Sequence, residues 1–246
     1  MNRKPAPKPQ GDIVFGIHPV QEILKAKRRK VFAIYTTQPT PKAWSKIEAL
    51  LVSRPVAIQY VDREVLHRMA ETTDHQGVVA LVQPFAFRVK PFDSTKHPFL
   101  ILLDGVQDPR NLGAIIRSAY CTGASGLLLP RKQSAPLTGA AIKASAGLAE
   151  HLEIMQVPSP IAAVQELKSQ GYHIYLAAFD GKSPLKMDFE YPLCLVIGNE
   201  GEGITPALRS AGEHITLPQR NGDISYNASV AAGILLFLIG TQKGAI

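Results

Sequence analysis

Five apolar runs, each closed by turn residues, dominate the larger second part of this chain. They are FLILLDGV (99–106), GLLLP (126–130), LEIMQV (152–157), HIYLAAF (173–179) and LCLVIGN (193–199). A strand with one wet face alternates apolar and polar residues. A strand that stays apolar along its length needs cover on both faces. Helical stretches lie between most of these runs, which predicts an α/β domain: a parallel sheet with helices on both sides.

The first part reads differently. Residues 31–36, 56–61 and 77–82 have strand character. Residues 18–27, 41–52 and 62–71 have helical character, so residues 12–83 predict a small α/β domain. Residues 1–11 are rich in Lys and Pro and predict a flexible tail. Residues 84–98, with three prolines and no period, predict a linker to a second domain at 99–246.

The formal charge of +7 is uneven, with +8 on residues 1–97 and −1 on the remainder. A basic first part beside a neutral second part suits a division in which the first holds a polyanion. Lys25, Lys27, Arg28, Arg29 and Lys30 end the first helix. Cations there complement a helix C-terminus, and they equally suit phosphate contacts. The longest apolar candidate, 230–240, is shorter than the ~18 residues a membrane helix requires. No apolar segment follows the charged start, as a secretory signal would need. Cys121 and Cys194, both within apolar segments, predict buried free thiols in a reducing compartment. Two cysteines exclude a zinc cluster of the common type, and no other metal-ligand cluster stands out.

Three segments carry chemistry. In the first, residues 104–124, Asp108 and Pro109 suit a helix cap and first turn, and Arg117 lies among Leu112, Ile115, Ile116 and Ala119. Arg117 fits an exposed stripe or a paired functional guanidinium. In the second, LVIGNEGEGI (195–204), Gly198, Gly201 and Gly203 interleave with Glu200 and Glu202. Glycines at a strand end fit a plain connection or a close approach to a ligand. The spacing matches neither a dinucleotide fingerprint nor a phosphate-binding loop. In the third, residues 215–240, a strand runs to Pro218 and a loop holds Asn221 and Gly222. Ser225, Tyr226, Asn227 and Ser229 then crowd the start of the last helix. Ser225 or Asn227 can serve as its cap, and the helix is rich in small residues that allow close packing.

The stretches DPRNLGAIIRSA, LVIGNEGEGI and LPQRNGDISYNASVAAGILLF together resemble, in order and spacing, the three motifs of the SpoU/TrmH family of RNA ribose methyltransferases, within the SPOUT superfamily. FGIHPVQEIL and HQGVVALVQ resemble the amino-terminal substrate-binding domain of that family's large-subunit rRNA guanosine methyltransferases. The resemblance implies a carboxy-terminal SPOUT domain with a deep trefoil knot, a small RNA-binding domain before it, and a cytoplasmic homodimer without a metal. It implies S-adenosylmethionine as methyl donor, lined by Gly198, Leu217 and Tyr226 with Leu129 nearby, and S-adenosylhomocysteine as product. Catalytic positions carry over as Asn111, Arg117, Glu200, Ser225 and Asn227. Tyr226 and Ala228 depart from the family pattern, which has leucine before the asparagine and often valine after it.

The implied reaction methylates a ribose 2′-hydroxyl, most simply of a guanosine in 23S rRNA. The alternatives are a tRNA target and a non-catalytic RNA-binding or ribosome-assembly role. A guanidinium keeps its proton above pH ~12, which argues against Arg117 as a literal base. Its expected role is to orient the hydroxyl and the neighbouring phosphate and to stabilise the developing alkoxide, with Glu200 balancing it.

Overall fold

A computed structural model describes residues 11–52, 56–220, 225–242, 244 and 246. The expected tail up to residue 10 and the loop at Asn221 and Gly222 lie outside the described residues. The chain divides into two compact units, Met1–Ala86 and Phe87–Ile246.

The first unit runs β1 (Asp12–Phe15), α1 (Ile17–Ala26), β2 (Val31–Thr36), α2 (Ser45–Leu51), β3 (Ala57–Tyr60), α3 (Arg63–Ala70) and β4 (Val78–Val82). Its sheet has the order β1-β4-β2-β3, with β4 antiparallel to both neighbours and β2 parallel to β3. Strand β4 is apolar throughout and wholly buried at the sheet centre, as its unbroken run requires. Sequence periodicity did not show β1, which is only four residues long. The basic cluster after α1 is not one surface. Arg29 is buried, donates to Asp12 Oδ2 at 3.0 Å and to the Gln83 carbonyl at 3.1 Å, and lies 5.3 Å from the Phe85 ring centre. Lys27 and Lys30 stay exposed.

The second unit runs β5 (Phe99–Asp104), α4 (Pro109–Cys121), β6 (Gly126–Pro130), α5 (Gly139–Ala144), β7 (Glu153–Val157), α6 (Pro160–Ser169), β8 (His173–Lys182), β9 (Leu193–Gly198), β10 (Glu213–Ile215) and α7 (Ala228–Gln242). Its six strands are all parallel, in the order β10-β8-β9-β5-β6-β7. The central strands β5, β6 and β9 are buried along their whole length, which is why they read as continuous apolar runs. Asp108 caps α4 by accepting from Arg110 N at 2.8 Å, and Ser159 caps α6 from Ala162 N at 3.3 Å. Proline stands at the start of each helix, where a missing N–H costs nothing. A Cβ on Gly113 would sit 2.3 Å from the Ala141 carbonyl oxygen, so only glycine lets α4 and α5 approach this closely.

Three expectations shift. Residues 87–98, read as linker, belong to the second unit: Phe92 is buried in its core, and Arg88 donates its backbone N–H to the Ile154 carbonyl of β7. Cys121 is exposed rather than buried, because it ends α4 on the outward side, whereas Cys194 is buried in β9. The strand expected to run to Pro218 lies earlier, at Glu213–Ile215. No described helix is long and apolar enough to cross a membrane.

Candidate active site

The carboxyl ends of parallel strands open onto loops that can hold a ligand. Here the ends of β8, β9 and β10, with the start of α7, enclose a cavity. Ile197, Ile215, Leu217 and Leu235 supply apolar walls, and Gly198, Asn199, Glu200, Thr216, Ser225 and Tyr226 supply polar and backbone groups. A Cβ on Gly198 would lie 2.2 Å from the Gly203 carbon, because the chain doubles back there and Asn199 and Gly203 exchange backbone hydrogen bonds.

The turn after β9 is held from two sides. Asn199 Oδ1 accepts from Gly201 N at 2.8 Å and Glu202 N at 2.6 Å. The buried Asp104, at the end of β5, accepts from Thr205 N at 2.7 Å. The turn presents Glu200, whose Oε1 accepts from Asn111 Nδ2 at 2.6 Å. That bond joins the first turn of α4 to the loop after β9 across 89 residues of sequence.

Expected site residues separate into groups. Gly198, Glu200, Leu217, Ser225 and Tyr226 line the cavity, and Asn111 reaches it through Glu200. Asn227 caps α7: its Oδ1 accepts from Ser229 N at 2.9 Å and Ser229 Oγ at 2.6 Å. Its amide nitrogen makes no hydrogen bond to a described residue. Leu129 does not line the cavity; it is buried in β6, which β5 separates from β9. Glu200 pairs with Asn111 and not, as expected, with Arg117. Arg117 lies six residues along α4 from Asn111, about 9 Å of rise and roughly 120° of rotation away. It is exposed, with no ion pair to a described residue.

Sequence reasoning missed Asp104 and Asn199, which fix the turn, and Phe179, which lines the cavity from the end of β8. The only signal for Asp104 was a carboxylate closing an apolar strand. Beside the cavity, His214 Nδ1 lies 3.2 Å from Asp180 Oδ1 and its Nε2 lies 2.6 Å from the Arg209 carbonyl. The Arg209 carbonyl first, and then Asp180, hold its protonated form and raise its pKa above the usual histidine value. Among the described residues no group of three or more His, Cys, Asp or Glu side chains is placed to hold a metal ion.

The model of the SpoU rRNA Methylase family matches residues 98–237. The chain belongs to that family. A second model, RNA 2′-O ribose methyltransferase substrate binding, matches residues 13–88, so both units are accounted for. The chain is 32% identical to the 23S rRNA (guanosine-2′-O-)-methyltransferase RlmB of Shewanella oneidensis, over 94% of this chain and 98% of that protein. It is also 32% identical to the RlmB of Haemophilus influenzae, over 94% of this chain and 97% of that one. The SpoU methyltransferase AviRb of Streptomyces viridochromogenes, solved with the cofactor AdoMet, superposes with a TM-score of 0.79 at 24% identity, covering 95% of this chain and 91% of that one. This SpoU methylase is therefore an RNA 2′-O-ribose methyltransferase.

Proposed function

We propose that this SpoU methylase methylates the 2′-hydroxyl of a guanosine in 23S rRNA, in the cytoplasm, as a homodimer. The observation that carries the site assignment is the Asn111–Glu200 hydrogen bond at the mouth of the strand-end cavity, which ties the first motif to the second beside residues of the third. RlmB proteins, similar over nearly the whole chain, support the RNA and the nucleotide. The excess positive charge of the first unit, 13 Lys and Arg against 7 Asp and Glu over residues 1–86, supports a unit that grips RNA.

The cavity fits the methyl donor: an adenine ring needs apolar walls and a few fixed backbone groups, and Ile197, Ile215 and Leu217 lie beside the backbone of Gly198 and Tyr226. When bound, S-adenosylmethionine supplies a methyl group already activated on a sulfonium. What remains for the protein is alignment of the ribose oxygen and help with proton loss. Glu200, fixed by Asn111, and Ser225 hold the ribose; the Asn227 amide donates from the start of α7. Arg117, an uncommitted guanidinium, orients the neighbouring phosphate and stabilises the developing alkoxide.

Exposed Val230 and Phe237 on the strongly apolar α7 support pairing with a second copy. The position of β9 between β8 and β5, with β10 and α7 following it and α7 packed on α4, supports a trefoil knot in the carboxy-terminal segment. The test of the catalytic assignment is Arg117→Ala. Single-turnover methyl transfer is expected to be abolished while calorimetry shows donor affinity within several-fold of the parent. Retained transfer overturns the role.

A further inference from the structure

A second cleft opens on the other side of the Glu200 turn, with a volume of about 590 Å³. It is lined by Gln107 from the loop after β5, Lys132 and Gln133 from the loop after β6, and Glu200 and Glu202 from the loop after β9. We infer that this cleft receives the base of the target nucleotide, and that Glu202 and Lys132 read a guanine edge. The inference rests on the catalytic site proposed above, because Asn199 and Glu200 line both cavities and the ribose must lie between donor and base.

The walls are built and the inward side chains are open. Ala135 N donates to the Val106 carbonyl at 2.8 Å, tying the loop after β6 to the loop after β5. Asn199 and Asp104 clamp the third loop as described. Gln133 is held at φ 56, a backbone conformation that a non-glycine residue adopts only when its surroundings impose it. Against this fixed frame the side chains of Gln107, Lys132, Gln133 and Glu202 make no hydrogen bond or ion pair with any described residue, and all four are exposed.

The donor and acceptor set selects the ligand. Two carboxylates, Glu200 and Glu202, disfavour a phosphate in this cleft. A carboxylate accepts well from two adjacent N–H groups, and guanine offers N1–H and N2–H₂ side by side. An ammonium suits the O6 and N7 acceptors of the same base. Adenine offers an acceptor at N1 where the carboxylate needs a donor. Splayed, unstacked bases read on such edges are the usual mode of sequence-specific RNA recognition.

The test uses the full-length enzyme. The methylated guanosine is first mapped on a 23S rRNA transcript, and short RNAs carrying guanosine or inosine at that position are then assayed with the parent, Glu202→Gln and Lys132→Met. Inosine lacks the 2-amino group, so the parent is expected to prefer guanosine. Glu202→Gln is expected to lower kcat/KM on the guanosine RNA by about 10- to 100-fold and to bring the guanosine-to-inosine ratio close to one. Lys132→Met is expected to lower kcat/KM on both RNAs. Calorimetric affinity for S-adenosylmethionine stays within about twofold in both variants. A Glu202→Gln enzyme that keeps the parental ratio and rate overturns the base cleft alone. A parent that binds the donor yet methylates no ribose overturns the catalytic assignment, and the base cleft with it.

Discussion

The Asn111–Glu200 bond makes a quantitative prediction. The donor is a carboxamide on a buried residue, the acceptor is a carboxylate, and the separation is 2.6 Å. Hydrogen bonds to charged groups contribute about 1.5–3 kcal/mol. Glu200 is exposed, so solvent competes and about 1–2 kcal/mol is the appropriate range here. That corresponds to roughly 5- to 30-fold in rate. Asn111→Ala and Glu200→Ala should each lower kcat/KM for RNA by at least that factor. The double variant should be no more than severalfold worse than the poorer single, because the second truncation removes a group already left without its partner. The assay is methyl incorporation at saturating donor, with thermal melts to confirm folding. Strictly multiplicative losses in the double variant would refute the idea that the two side chains act as one unit.

Further predictions follow from particular contacts. Arg29→Ala should destabilise the first unit by about 1–3 kcal/mol in urea unfolding, since it removes the buried partner of the Gln83 carbonyl and leaves the partly exposed Asp12 with only the Phe85 N–H. Lys27→Ala and Lys30→Ala should leave unfolding unchanged, yet each should reduce the salt slope of RNA binding by about one. Gly198→Ala forces the Gly203 backbone away and should weaken donor binding more than tenfold by calorimetry. The raised pKa of His214 means that its contacts with Asp180 and the Arg209 carbonyl stabilise the fold fully below the unfolded histidine value and lose effect as pH rises through the folded one. His214→Ala should therefore lower Tm more at pH 5.5 than at pH 8.5; an equal loss at both would count against that protonated role.

The parallel sheet was legible because β5, β6 and β9 are buried on both faces, and full burial leaves an unbroken apolar signature. The α4 cap was legible because Asp108 and Pro109 act locally. Motif order brought Gly198, Glu200, Leu217, Ser225 and Tyr226 to one cavity, but it could not say which side chain meets which. Glu200 finds Asn111 rather than Arg117 because rotation along α4 separates them, a three-dimensional fact that spacing to a distant loop does not encode. Arg29 illustrates the same limit. Among five neighbouring cations, only the fold distinguishes the one buried between Asp12 and Phe85 from the exposed Lys27 and Lys30.

The central claim is methyl transfer to a ribose oxygen at the strand-end cavity. Its most direct test is nucleoside mass spectrometry of a 23S rRNA transcript after incubation with the full-length protein and S-adenosylmethionine. The account predicts 2′-O-methylguanosine, approaching one per transcript, with none formed by the Arg117→Ala variant. Methylation on a base instead of a ribose, or no methylation by a protein shown to bind the donor, would contradict it.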